Sequence, residues 1–238
     1  MRVGSLFAGI GGFDLAAQWM GWETIWYSEI DPYASAVMKK NFPTALNLGD
    51  ITQIDGKQAP PVDLLCGGFP CQDISLAGKG AGLSGERSGL WSHYARLIEE
   101  IRPRYVVIEN VSALRSRGLD RVLGEIAALG YDAEWHCIPA AYVGAPHRRD
   151  RLWILADSQR EGELQQGGSV AHERGRTCDC GREGSGQRPG CWCVEPDVGR
   201  VAHGVPSRVD RLKCLGNAIV PQVAFEIFKA IEERERLK

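Results

Sequence analysis

No apolar run in this 238-residue chain approaches the roughly 20 residues that a membrane-spanning helix requires. The amino terminus also lacks the order of basic start, apolar block and small-residue cleavage site that marks a secretory signal. Together these absences lead us to expect a cytoplasmic protein with no membrane association, whose eight cysteines are reduced. Neither sign of charge is in excess: 28 Lys and Arg meet 30 Asp and Glu, for a formal net charge of −2. That balance does not advertise a nucleic-acid binder, although a local basic groove matters more than the total. No internal repeat is evident. Glycine, by contrast, is abundant, with 29 residues in clusters where backbone must turn sharply or approach a ligand. A hydrophobic content of 44% is enough to bury a full core in one domain with an appendage or a small second domain.

Strand and helix patterns alternate along the chain. The β-prone run 2–7 leads into the glycine loop 8–12, and Phe13, Leu15, Ala16, Trp19 and Met20 then fall at helical spacing. A second strand over 23–30 precedes a helix that begins near Pro32. Residues 62–68 read as a strand buried on both faces, and 69–90 as a long loop rich in Gly and Ser. A helix from Trp91, a buried strand over 104–111, a helix over 119–130 and two closing strands at 131–138 and 151–156 follow. The alternation predicts an α/β fold, a doubly wound and mostly parallel sheet. After Asp157 the composition changes, and 158–205 hold few large apolar residues and no period. The expected organisation is a domain over 1–157, a small irregular insert over 158–205, and a return over 206–238 that ends in a helix.

In such sheets ligands bind beyond the carboxyl ends of the strands. The glycine loop, Glu29, the loop carrying Cys71 and Glu109 all fall at those ends. The loop's glycines at 9, 11 and 12 do not match the dinucleotide fingerprint, but they let backbone amides and a helix N-terminus approach a polar ligand. Glu29, twenty residues after Gly9, is placed to accept the hydroxyls of a ribose, or else to stand as a solvated strand-end acid. Cys71 follows Pro70 on a restrained turn, with Arg148, Arg149 and Arg151 available to favour a thiolate; on residue type alone a spare thiol is commoner. Partial burial of Glu109 would raise its pKa and make it a proton donor near neutrality. Asn217 could meet a ligand from its glycine turn or cap the helix that follows.

The segments SLFAGIGGFDLA, SEIDPYA, GDIT, GGFPCQ, RSGLW, IENV, PHRRDRLWILA and LGNAIVP, in that order, resemble the motif series of the DNA (cytosine-5) methyltransferases of bacterial and phage type. The resemblance covers 1–157 and about 206–225. It implies a Rossmann-like S-adenosylmethionine-dependent fold and a methyl group delivered to carbon 5 of a flipped cytosine. It implies that Phe7, Ala8, Gly9, Ile10, Gly11 and Gly12 hold S-adenosylmethionine, with Glu29 on its ribose. Ile30 would pack on the adenine, and Asp50 and Ile51 would meet its edge. Gly68, Pro70, Leu90, Asn217 and Ala218 would complete the pocket. Cys71 would be the nucleophile at carbon 6 and Glu109 the acid at ring nitrogen 3. Arg149 and Arg151 would hold the cytosine carbonyl, the loop near Cys71 and nearby phosphate. No metal is implied. The implied partners are duplex DNA and a cognate restriction endonuclease.

Two positions depart from the family pattern: Ser5 stands where an aspartate is usual, and His147 where a glutamine is usual. Both are peripheral to the electron flow, so altered affinity rather than lost chemistry is expected. The interval 158–205 occupies the place of the target-recognition region and is short for it. Its cysteines 178, 180, 191 and 193 form two C-x-C pairs that could ligate zinc, although C-x-x-C pairs are more typical. Rival readings are a catalytically weak DNA-binding remnant on the same scaffold and cytosine-5 methylation of RNA. The first is disfavoured by the joint presence of Cys71, Glu109, Arg149 and Arg151.

Overall fold

The apolar run at the amino terminus forms β1 (Arg2–Leu6), whose last four residues are buried. In the computed structural model, which describes residues 1–70, 89–158 and 207–237, helices and strands then alternate. The first half contains α1 (Gly12–Trp19), β2 (Glu23–Ser28), α2 (Pro32–Asn41), β3 (Leu46–Asn47) and β4 (Leu64–Gly67). The middle contains α3 (Leu90–Ile101), β5 (Tyr105–Val111), the short α4 (Leu114–Arg117), α5 (Leu119–Ala128), β6 (Tyr131–Ile138) and β7 (Arg151–Ser158). Helices α6 (Arg208–Asn217) and α7 (Pro221–Arg236) end the chain. The predicted strands and long helices are therefore present, with three additions: the two-residue edge strand β3, the turn of helix α4 and the helix α6.

Seven strands form one sheet in the order β3-β2-β1-β4-β5-β7-β6. The pairs from β3 to β5 are parallel, whereas β7 runs antiparallel to both of its neighbours. The order reverses direction between β1 and β4, and crevices for ligands open at such switch points.

Both faces of the sheet are covered, which explains the continuous apolar strands. On β4, Leu65 points into one core and Leu64 and Cys66 into the other. Tyr94, Leu97 and Ile98 of α3 and Val122 and Ile126 of α5 fill the first core. Phe13, Ala16 and Ala17 of α1 and Val223, Ala224, Phe228 and Ile231 of α7 fill the second. Full burial of a side chain such as Phe228 stabilises by about 2–3 kcal/mol.

Local chemistry sets the helix ends. The Asp31 carboxylate accepts from the backbone N–H groups of Tyr33 (2.9 Å) and Ala34 (3.1 Å), and Pro32 supplies a helical first position. At the far end of α3, Arg102 turns left-handed (φ 54°) just before Pro103.

Length and hydropathy together single out one helical stretch among the described residues, Val209–Arg236, as able to cross a membrane. It is not a continuous helix, because 218–220 break it into α6 and α7, and α7 buries its apolar side in the second core.

Candidate active site

A cleft of about 650 Å³ opens at the switch point, within the roughly 300–1,000 Å³ common for small-molecule sites. Its wall begins where β1 ends. Phe7 there takes a left-handed backbone (φ 52°), a conformation that costs a non-glycine residue energy and clusters at functional sites. Gly9 follows, also left-handed (φ 56°), with open space where a Cβ would lie. The loop is closed by Gly11 N–H donating to Ala8 O (2.9 Å). A side chain at Gly12 would strike Ile219, so the start of α1 and the end of α6 need that glycine to meet.

Glu29, just past β2, is held from three sides. Its Oε2 accepts from Gly9 N–H and its Oε1 from Asp31 N–H, both at 2.7 Å. Asn47 of the edge strand donates from Nδ2 to the Glu29 carbonyl (3.1 Å) and accepts the Glu29 N–H at Oδ1 (3.3 Å). A carboxylate has about four lone-pair sites, so each oxygen can still accept from a ligand. Ile30 beside it is 72% exposed and lines the cleft, an apolar surface ready to be covered. Asp50 caps the single turn Ile51–Gln53, and its Oδ1 accepts from Thr52 N–H (2.9 Å). That hydrogen bond, the largest cause, lowers the Asp50 pKa. Ile51 is buried behind it.

The other half of the cleft is built from β4, β5 and β7. Glu109 is only 8% exposed, and its Oε1 accepts from Arg151 Nε at 2.9 Å. The two side chains meet because β5 and β7 pair in a register that sets Glu109 opposite Trp153 and Val111 opposite Arg151, making them diagonal neighbours on one face. Burial pushes the Glu109 pKa up to about 7, against the pull of Arg151 and Arg149. Its other oxygen, Oε2, sits over Gly68, where an added Cβ would lie 2.8 Å away. Buried Asn110 donates from Nδ2 to Phe69 O (2.9 Å), anchoring the turn that leads through Pro70 to Cys71.

Most of the residues predicted for the cofactor line this cleft: Phe7, Ala8, Gly9, Gly12, Glu29, Ile30, Asp50, Ile51, Gly68, Pro70, Leu90, Asn217 and Ala218. Ile10 and Gly11 are not among its lining residues, and Gly11 backs onto Phe42 and Met38. Of the predicted catalytic set, Glu109 and Arg151 line the cleft. Arg149 is instead directed at the chain itself, donating from Nη2 to the carbonyls of Gly216 (2.8 Å) and Ala218. Cys71 lies outside the described residues, as do Cys178, Cys180, Cys191 and Cys193. Among the described residues no group of three His, Cys, Asp or Glu is placed to hold a metal.

Sequence reasoning did not select Asn47, Asn110, Asp31 or Lys213. The partners that matter come from distant segments, and only the positions of Asn110 beside Glu109 and of Asp31 near Glu29 carried a hint.

The profile of the C-5 cytosine-specific DNA methylases matches residues 1–174. The chain belongs to that family. Among curated relatives, the type II methyltransferase M2.BsuMI of Bacillus subtilis (strain 168) is 39% identical over 164 residues, 66% of this chain and 42% of the relative. The type II methyltransferase M.HhaI of Haemophilus parahaemolyticus is 36% identical over 159 residues, 65% of this chain and 48% of the relative. The chain thus spans less than half the length of these relatives. A crystal structure of Spodoptera frugiperda DNMT2 superimposes with a TM-score of 0.55 at 21% identity, over 72% of this chain and 53% of that one, a likeness of fold. Family members use S-adenosylmethionine as methyl donor. The cleft suits such a ligand, with a seated carboxylate at Glu29 for a diol and an uncovered apolar side chain at Ile30 for a flat base.

Proposed function

We propose that this chain transfers a methyl group from S-adenosylmethionine to carbon 5 of cytosine in DNA. The observation that carries the reading is Glu109, a nearly buried carboxyl with a pKa of about 7, braced by Arg151 at the cleft and one strand away from the turn that leads to Cys71. Bound in the cleft, the cofactor supplies an electrophilic methyl group on a sulfonium. The chain's own residues make the base reactive enough to accept it. Cys71 adds as thiolate to carbon 6 of the ring, and protonated Glu109 delivers its proton to nitrogen 3, so electron density collects on carbon 5. Once carbon 5 carries the methyl group, its proton is lost and the cysteine leaves. A carboxyl that is half protonated near neutral pH suits that donation. The base must leave the duplex to reach these groups.

The cofactor would lie along Phe7 to Gly9, with its ribose at Glu29 and its adenine between Ile30 and Asp50–Ile51. Arg151 would both brace Glu109 and reach the cytosine carbonyl, while Arg149 would act by holding 216–218 in the cleft wall. The domain over 1–157 and 206–238 would carry the chemistry, and 158–205 would supply target recognition. A cognate restriction endonuclease would be the counterpart of such an enzyme, and the cytoplasm its place of action.

Trapping tests the mechanism. A 5-fluorocytosine duplex with S-adenosylmethionine should yield a covalent adduct that Cys71→Ala abolishes while cofactor binding survives; an adduct formed without Cys71 overturns it. Bisulfite sequencing of DNA from expressing cells reads activity and target context together. Offering tRNA beside duplex DNA tests the RNA reading.

A further inference from the structure

The two lips of the cleft are joined by one ion pair that the reaction does not use. On one lip is Asp31, the capping residue of α2, two positions after Glu29. On the other is Lys213, on α6, 182 residues away in sequence. Their side chains meet at 2.6 Å between Nζ and Oδ2. Both residues line the cleft. They sit at its mouth and not on its floor: the Lys213 side chain is 60% and that of Asp31 27% exposed, against 11% for that of Glu109 below.

The rest of the α6 lip is fixed. Arg149 holds the carbonyls of Gly216 and Ala218, and Ile219 rests on Gly12. These anchors lie at and just past the carboxyl end of α6, and Lys213 ties the helix to the opposite lip one turn further out. Asp31 is well suited as the fixed partner. Its Oδ1 is engaged by the amides of Tyr33 and Ala34, which leaves Oδ2 pointing to Lys213.

We propose that Lys213 and Asp31 form a latch across the adenosine half of the cofactor site, slowing release of the bound cofactor. The proposal rests on the reading of the cleft as an S-adenosylmethionine site. It places the latch over the ribose and base because Asp31 adjoins Glu29 and Ile30, away from Glu109 and the turn to Cys71. Lys213 and Asp31 are thus positioning residues, touching neither the methyl group nor the cytosine.

Dissociation rates measured by stopped-flow competition test this, with S-adenosylmethionine, S-adenosylhomocysteine and 5′-methylthioadenosine as probes. Lys213→Met should speed release of all three by about two- to fivefold, the range an exposed ion pair supports. Lys213→Arg should restore the slow rate. Asp31→Asn, which keeps the helix cap, should match Lys213→Met, and the double variant should be no faster than either. Added salt should speed release from the wild type and leave Lys213→Met nearly unmoved. Unchanged rates in Lys213→Met overturn the latch. So does faster release of the two amino-acid-bearing probes with methylthioadenosine spared, which would make Lys213 a ligand for the cofactor's carboxylate. A wild-type chain that binds none of the three sinks the cofactor reading, and the latch with it.

Discussion

Glu109 is about half protonated at neutral pH because it is buried, and the chemistry and the stability of the fold both favour its protonated form. Its pKa is about 7 in the fold against 4.5 when unfolded, so its contribution to stability is full below pH 4.5 and is lost as pH rises through 7. The methyl-transfer rate should likewise fall above about pH 7 as the acid form is depleted. Glu109→Gln should lower kcat by about 10²–10⁴-fold and abolish that limb of the pH–rate profile, with cofactor affinity retained. Asp14 is a second buried acid, without a catalytic task. It is 1% exposed, and its carboxylate accepts from Thr24 Oγ1 (3.1 Å) and Ser5 Oγ (3.2 Å). Burial raises its pKa to about 6. Stability from this group is therefore lost as pH climbs from about 4 to about 6. Asp14→Asn should flatten that window and add up to about 2–3 kcal/mol above it, measured by urea unfolding across pH. Ser5 thus has a partner of its own: where the family pattern has a carboxylate on β1, this chain has a hydroxyl and a carboxyl on α1 bonded to it.

At the scale of elements, the site is a meeting of backbones that tolerate no extra atoms. Gly68→Ala would place a methyl 2.8 Å from the Glu109 carboxylate. We expect the carboxylate to be pushed off Arg151, with methyl transfer reduced at least tenfold and little change in cofactor affinity by calorimetry. Arg149→Met removes the donor to Gly216 and Ala218. That should loosen the α6 lip and raise the Kd for cofactor more than it lowers kcat. Much of this frame was legible beforehand: 131–138 was read to the residue as β6, and the glycine loop, Glu29 and Glu109 were assigned to one rim. Other parts had no local signature. Two-residue β3 is too short for a period to register, yet its Asn47 steadies Glu29. The position of β7 between β5 and β6 is a fact of pairing that no periodicity encodes, and it turns Arg149 and Arg151 from neighbours into residues with different errands. Nothing local marks Asp14, whose partners Ser5 and Thr24 lie on β1 and β2.

For the whole molecule, α7 is the piece that unites the ends of the chain. Its Phe228 stacks on Trp22 (5.1 Å between centroids) and on Phe13 (6.4 Å). Phe228→Ala should cost about 3–5 kcal/mol in urea unfolding, and the cleft should fail with it, since Phe13 lines one wall. The antiparallel strand has a consequence of another sort. The register in which β7 pairs, after the link 139–150, sets which way each of its side chains faces. A slip of one residue would turn Leu152 and Ile154 out of their core and carry Arg151 to the far side of the sheet from Glu109. That link also carries Arg149, which ties 216–218 into the cleft wall, so one loop connects the phase of a strand to the shape of a pocket on the other side of it.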